Sequence, residues 1–280
     1  MKQEKLTIFT CPKAFNEAYD VIQRNAIKSW KLLRPEPRII LFTDNKRGGG
    51  VERAAIELGV EFGGVVKCNA QDTPLVNDLW ARADEIASTR LLAYVNADIV
   101  LMSDWLSAIS LIEFSRFLAI GRRWDWQKID KGKRMSPDAV RFDDTWEERL
   151  RIDCKKIGNW HPPGGLDYFV FTKGLYGGGV PSFAIGRYAW DNWLAAEALR
   201  LNVPLVDITE AAFVVHQRHA YGNNGELTGA DLLETPEAKS NIKLHHSLGV
   251  PNTALKHATH AIIKNGTQYI VKVRKQENGK

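Results

Sequence analysis

Residues Leu91 to Val95 form an apolar run with no helical periodicity, and Asn96 and Asp98 interrupt it at once in the stretch LLAYVNAD. A short run of this kind is the pattern of a strand buried on both faces, as in the interior of a parallel sheet. The rest of the chain must then supply neighbouring strands and the helices that cover them. In extended backbone, alternate residues point the same way, so Asn96 and Asp98 can converge on one ligand just past the strand. Open α/β sheets bind ligands at that carboxyl edge. A strand-to-turn junction, with Asp98 accepting from backbone N–H groups, fits the same residues.

The flanking sequence meets the demand. Leu6–Pro12 reads as a first strand stopped by proline, and apolar residues then return at helical spacing through Phe15, Tyr19, Ile22, Ala26, Ile27 and Trp30 until Pro35 and Pro37. Arg38–Phe42 is a second buried strand with Asp44 at its carboxyl edge, completing a βαβ opening. Gly48, Gly49 and Gly50 precede a short helix closed by Gly59. They fit a flexible turn, or backbone amides that meet a phosphate at a helix N-terminus. A short third strand is expected near Val65–Cys68, followed by a helix through Leu75, Leu79, Trp80, Ala83 and Ile86.

Beyond Asp98 the pattern predicts a helix around Trp105–Ile112, a strand within Phe117–Arg123 and a long functional loop over Trp124–Asp144. A helix over Thr145–Gly158, a strand at Tyr168–Phe171 and an amphipathic helix over Gly186–Asn202 come next, the last with Asp191 in its first turn. Short strands end in His216 and His219, a helix is capped by Thr235 and stopped by Gly249, and Ala261–Val273 is a hairpin turning at Asn265-Gly266. The terminal RKQENGK is expected to fray.

Composition narrows the partners. The 280 residues, 44% apolar and 25% charged, suit a soluble globular protein of one domain with an elaborated side. No apolar run approaches the roughly 18 residues of a membrane span, and Leu6–Phe9 is too short for a signal core, so a cytoplasmic protein is expected. The net charge of +5 is small and its basic residues are dispersed, which argues against nucleic acid and suits an anionic small molecule or peripheral contact with a membrane surface. Cys11, Cys68 and Cys154 supply neither a metal framework nor a disulfide scaffold.

Taken in order, the βαβ start, an acidic residue after an early strand, N-x-D after a buried strand, a glycine-rich turn, an acidic helix start and a late histidine resemble a GT-A glycosyltransferase over Leu6–Tyr221. The resemblance implies an α/β, Rossmann-like GT-A fold: a mixed, mostly parallel central sheet flanked by helices, with a C-terminal β-hairpin. It implies one domain over residues 1–280, with a nucleotide-binding half (1–102), an acceptor-side half (103–221, including a loop at 123–165) and a C-terminal helix and hairpin extension (222–280). The implied activity is transfer of a sugar from a nucleotide-diphosphate-sugar donor to a glycan or glycoconjugate acceptor, as in polysaccharide biosynthesis, with Mn²⁺ or Mg²⁺ on the diphosphate.

The family's D-x-D metal motif corresponds to Asn96-Ala97-Asp98. Asp98 would hold the cation, while Asn96 departs from the usual first carboxylate and would reach the ribose or the metal through its amide oxygen. The glycine-rich loop beside donor and acceptor is similar to His161–Gly165, with Gly164 and Gly165, ending at Leu166-Asp167. The acidic helix start, which supplies the base in inverting members, resembles Trp190-Asp191-Asn192, with Trp where a carboxylate usually stands. The late metal-binding histidine is similar to His216, with His219 as second choice.

The chemistry asks for these residue types. Breaking the bond to a diphosphate leaves negative charge that must be stabilised, and a divalent cation on carboxylate oxygen does so as a Lewis acid. An imidazole ligand favours Mn²⁺ over Ca²⁺. Asp191 is the first candidate base and Asp167 the second; the same residues fit a helix cap and a turn cap, and a retaining transfer needs no such base. Asp44 suits the nucleobase or ribose, or an Asx turn. Arg122 and Arg123 suit bidentate bonds to phosphate, or a solvated charge pair. Trp124, Trp126, Trp160, Trp190 and Trp193 suit acceptor contacts, or packing. Two other functions fit the chain: a non-catalytic carbohydrate-binding protein on a degenerate GT-A fold, favoured by Asn96, and a sugar nucleotidyltransferase. Against the latter, TCPKAFNEAYD after the first strand lacks a glycine-rich basic phosphate loop.

Overall fold

A computed structural model of the chain describes residues 6–44, 49–126, 128–130, 133–135, 139–219 and 229–274. It opens with β1 (Leu6–Thr10), α1 (Glu17–Leu32), β2 (Arg38–Thr43), α2 (Val51–Leu58), β3 (Glu61–Val65), α3 (Val76–Ile86) and β4 (Leu91–Val95). β3 begins before the expected Val65. It is a partly exposed edge strand, Glu61-Phe62-Gly63-Gly64-Val65, and so carries no buried apolar run to read. A Cβ on Gly63 would lie 2.5 Å from the Phe42 ring, which is why a side chain is missing there.

The chain continues through β5 (Ile99–Val100), α4 (Ser103–Ser110), β6 (Leu118–Ile120), β7 (Trp124–Trp126), β8 (Lys128–Asp130), β9 (Lys133–Met135), α5 (Trp146–Ile157), β10 (Asn159–Trp160), β11 (Tyr168–Thr172) and α6 (Trp190–Arg200). It ends with β12 (Leu205–Asp207), β13 (Val215–Gln217), α7 (Gly229–Leu233), α8 (Pro236–Ser247), β14 (His260–Asn265) and β15 (Gln268–Val273). The Thr235 hydroxyl caps α8 by accepting from the Ala238 N–H, and Gly249 (φ 63°) follows the helix in the left-handed region. Gly48 and the fraying tail from Lys275 lie outside the described residues.

A nine-stranded sheet runs in the order β15-β14-β12-β6-β11-β4-β1-β2-β3. β1 pairs in parallel with β2 and β4, β2 with β3, and β12 with β6 and β14, while β11 is antiparallel to both β4 and β6. The sheet is therefore mixed and mostly parallel. Because β11 reverses against both neighbours, β4 and β6 run the same way, and the carboxyl ends of β1, β2, β4, β6 and β12 share one edge. The hairpin β14–β15 completes this sheet beside β12.

Alternation along β4 divides its side chains between two cores. Leu91, Ala93 and Val95 join Trp30 of α1 and Trp105 of α4; Leu92 and Tyr94 join Trp80 of α3 and Leu194 of α6. On the second face Phe9 meets Trp80 edge-on, with ring centres 5.1 Å apart, and Trp190 meets Tyr94 edge-on at 5.4 Å. Each such pair contributes about 0.5–1.5 kcal/mol beyond its buried area.

Trp124–Asp144 is not the long loop its charge and glycine content suggest. It supplies β7 to a four-stranded sheet, order β10-β7-β13-β5, and forms the β8–β9 hairpin. No helix among the described residues is long and apolar enough to cross a membrane.

Candidate active site

The small sheet lies next to the carboxyl edge of β4 and determines which polar residues meet there. β13 is antiparallel to β5, with His216 opposite Ile99, and parallel to β7, with His216 opposite Asp125. The Gln217 N–H donates to the Asp98 carbonyl at 3.1 Å, locking the turn after β4 against β13. β10 pairs with β7, and the chain leaves it at His161, whose N–H donates to the Arg123 carbonyl. Four neighbouring strands thus line up His161, Asp125, His216 and Asp98.

Their side chains form a continuous row. His161 Nδ1 lies 2.9 Å from Asp125 Oδ2, and His216 Nδ1 lies 3.1 Å from Asp125 Oδ1. His216 Nε2 stands 3.5 Å from Asp98 Oδ2, and His219 Nε2 reaches the same oxygen at 3.1 Å. The Tyr19 ring meets His219 edge-on, with centres 5.1 Å apart.

Asp98, His216 and His219 each offer one ligand atom, all within 4.8 Å of one another. The residues fit a divalent cation on a specific observation: Asp98 Oδ1 is buried and has no hydrogen-bond partner among the described residues. A buried carboxylate oxygen without a partner is costly unless something else satisfies it. Asp125 on Nδ1 orients the His216 ring so that Nε2 faces Asp98, the arrangement by which a carboxylate fixes the tautomer of a metal-binding imidazole. Burial works to raise the Asp98 pKa, but the charge and hydrogen bonds of His216 and His219 outweigh it and hold the carboxyl well below its usual range. Burial also opposes the charge on His216, and here too the partners win: Asp98 and Asp125 raise the imidazole pKa. Asp125 is held ionised against burial by His161, His216 and the neighbouring Arg123.

Arg123, for which the sequence suggests bidentate bonds to phosphate or a solvated charge pair, and Asp167, a candidate base or turn cap, meet each other in a buried ion pair. Arg123 is 6% exposed; its Nε contacts Asp125 Oδ1 at 3.2 Å and its Nη1 is ion-paired with Asp167. Asp167 also accepts from the Asn96 side-chain amide at 2.8 Å, and its carbonyl accepts from the Asn96 N–H at 2.9 Å. Asn96 Oδ1 in turn accepts from the Tyr94 hydroxyl at 2.8 Å. Asn96 therefore clamps the end of β4 to the start of β11, with both ends of its amide engaged, and Asp167 carries a buried ion pair.

Asp191 lies in the first turn of α6 after Ala189, which adopts φ 84°, a left-handed conformation rare for a residue with a Cβ. Burial raises its pKa to about 6, while the N–H groups of Asn192 and Leu166 and the charge of Arg123 pull the other way. These contacts connect Asp191 with the His161–Asp167 segment. Asp44, at the end of β2, is buried. Gly50 (φ 83°) begins α2, and the Gly49 carbonyl accepts from the Phe15 N–H, so these glycines form a turn pinned to the segment before α1.

The tryptophans are placed by strand alternation and by packing. In β7, Asp125 faces the polar row while Trp124 and Trp126 turn to the other side, against the cluster of Trp146, Leu150 and Cys154. Trp160 is 46% exposed, yet one face stacks on Trp124 and Arg122 lies over its ring. Trp190 and Trp193 are 4% and 3% exposed, within the aromatic core. Their faces are covered by Trp80, Tyr94, Phe169, Tyr176 and Phe183, so neither offers an acceptor a platform.

Asp125 joins the site without any motif of its own in the sequence. Its signal is the WDW triplet itself, bulky apolar residues on either side of one carboxylate, which is strand alternation rather than loop.

The two loop glycines have different duties. A Cβ on Gly165 would lie 2.8 Å from His161 Nε2 and 3.4 Å from Arg123 Nη1, whereas a Cβ on Gly164 would meet nothing within 4 Å. Gly165→Ala is expected to displace the His161 ring from Asp125 and to destabilise the protein by about 1–3 kcal/mol. Gly164→Ala should change stability by no more than about 0.5 kcal/mol. Urea unfolding of both variants checks this; equal effects would refute the crowding at Gly165.

No protein-family model matches the chain, and no curated protein matches it significantly. Similarity appears in solved structures. A mycobacterial protein superposes with a TM-score of 0.50 at 15% identity, covering 97% of this chain and 84% of its own. S. aureus TarS, residues 1–349 in complex with UDP-GlcNAc, superposes with a TM-score of 0.50 at 10% identity, covering 87% of this chain and 71% of its own. With its mixed, mostly parallel central sheet flanked by helices, the chain has a GT-A-like fold.

Proposed function

We propose that this protein is a glycosyltransferase that moves a sugar from a nucleotide-diphosphate-sugar to a glycan or glycoconjugate acceptor, with Mn²⁺ or Mg²⁺ held by Asp98, His216 and His219. The observation that carries the reading is the unpartnered Asp98 Oδ1, set beside two imidazoles at the carboxyl edge of a GT-A-like sheet. A bound divalent cation would supply Lewis-acid neutralisation of the diphosphate. The protein's own part is to aim the ligands. Asp125 holds the His216 ring, and the β5–β13 pairing holds Asp98 against it. Asp44 accepts from the nucleobase or ribose at the end of β2. In an inverting transfer Asp191 takes the proton of the acceptor hydroxyl; its pKa of about 6 leaves it ionised at neutral pH and still able to accept a proton.

The test is a thermal-shift panel of UDP, GDP, CDP and dTDP, each with Mn²⁺, Mg²⁺ or a chelator. UDP comes first because TarS, of similar fold, was solved with UDP-GlcNAc. A nucleotide at about 100 times its Kd stabilises the native state by about 2.7 kcal/mol, on the order of 5 °C in Tm. One nucleotide should produce such a shift with metal and lose it with chelator. Absence of any shift would sink the donor reading and leave a carbohydrate-binding protein, to be tested with sugars alone.

A further inference from the structure

Arg122 is a cation at this edge with hydrogen-bonding capacity left over among the described residues. It follows β6, its N–H donates to Thr209 Oγ1 at 2.9 Å, and its Nε donates to the His161 carbonyl at 2.8 Å. Its guanidinium carbon lies 4.3 Å from the centre of the Trp160 ring. Behind that ring a column continues: Trp160 on Trp124 at 5.7 Å, Trp124 on Phe213 at 5.5 Å, and Arg151 over Phe213 at 4.9 Å. Nε is thus engaged and one face of the guanidinium is backed by an aromatic stack. Its terminal nitrogens have no hydrogen-bond or ion-pair partner among the described residues. Arg123 next to it is the opposite case, its fork taken up by Asp125 and Asp167.

A planar pair of N–H donors held still is matched by the two oxygens of a carboxylate or a phosphate. Pre-ordering matters because a free arginine must give up side-chain entropy on binding, and this one has already done so in folding. The position selects the source of the anion. His161, which anchors Arg122 through its carbonyl, contacts Asp125 through its ring, and Asp125 separates it from His216 and Asp98. Arg122 is therefore anchored at the His161 end of the polar row, beside the His161–Gly165 loop, and not at the Asp98 end, where the proposed cation would hold the donor diphosphate.

We propose that Arg122, backed by Trp160, is an oxyanion subsite for the acceptor, which carries a carboxylate or a phosphate received by two parallel hydrogen bonds. This rests on the transferase reading for the word acceptor, and its test separates the two.

Inorganic phosphate is titrated calorimetrically into the full chain, alone and in the presence of saturating UDP and Mn²⁺, for wild type, Arg122→Ala, Arg122→Lys and Trp160→Ala. Phosphate should bind the wild type in both conditions. Arg122→Ala should weaken it at least about 10-fold, and Arg122→Lys, which keeps the charge but not the fork, about 5-fold. Trp160→Ala should weaken it about 3-fold by releasing the guanidinium. The affinity for UDP should be unchanged throughout. Equal phosphate affinity in wild type and Arg122→Ala would overturn the subsite. Phosphate binding that UDP and Mn²⁺ abolish would overturn the assignment to the acceptor and give the fork to the donor diphosphate. Phosphate binding that depends on Arg122 in a protein that binds no nucleotide would uphold the anion subsite while the donor reading failed. Arg122→Lys keeps the test valid if loss of the stack unfolds the alanine variants.

Discussion

Asp98→Ala is expected to abolish the metal-linked thermal shift with nucleotide and to lower turnover by about 10²–10³-fold or more. Asp98 is the one carboxylate of the Asp98, His216 and His219 cluster, and its unpartnered oxygen is the atom best placed to take a cation. Without it, paired imidazoles remain, which bind a hard cation poorly. The fold should survive. His216 keeps its bond to Asp125 and the Asp98 carbonyl still accepts from Gln217, while the Nε2 atoms of His216 and His219 lose their carboxylate, a cost of about 1–3 kcal/mol that the fold can bear. Thermal shift of the variant with the selected nucleotide and Mn²⁺, set beside turnover of the matching sugar-nucleotide, separates loss of the site from loss of the fold. A variant that melts like wild type and still shows the full metal-dependent shift would mean the cation lies elsewhere.

Asp191→Asn should lower kcat by about 10²–10⁴-fold while leaving nucleotide binding intact, the range for removing a general base. It should also stabilise the protein at neutral pH. The Asp191 pKa is raised in the folded state from the ordinary 3.8 to about 6, so between those values the folded chain holds a proton that the unfolded chain has released. Stability conferred by that proton is full below about 3.8 and is lost as pH rises through about 6. Above that, wild type carries the cost of a buried charge, on the order of 2 kcal/mol after allowance for solvent contact, and the asparagine does not. Urea unfolding at pH 8 should show the variant more stable, with the difference gone near pH 3.5. In wild type, kcat should fall about tenfold per pH unit below about 6. A variant that is less stable at pH 8, or a flat kcat profile through pH 6, would reduce Asp191 to a helix cap.

Much of the frame was legible because it is written locally. Leu91–Val95 announces a buried strand by its unbroken apolarity, Thr235 and Gly249 announce the limits of α8, and Asn265-Gly266 announces the hairpin, each through residues within one element. Where polarity and burial part company, local reading failed. β3 carries little apolar signal because it is a half-exposed edge, and β7 was concealed among charged residues because only its alternate positions face the packed side. Trp190 and Trp193 flank a carboxylate in sequence, but helical geometry turns them into the core.

The sequence by itself determined the α/β class, the place of Asp98 at a strand end, and the histidines at the end of another short strand. Only the tertiary structure decided which of these meet. His216 and Asp125 are 91 residues apart and His219 and Asp98 are 121 apart, and they come together through the pairing of β5, β13 and β7. The reason is physical: side-chain periodicity and capping extend over a turn or a strand, whereas register between distant strands is selected by burial across the whole sheet. The same long-range pairing ties up Arg123 and Asp167 with each other and leaves the neighbouring Arg122 with its terminal nitrogens available.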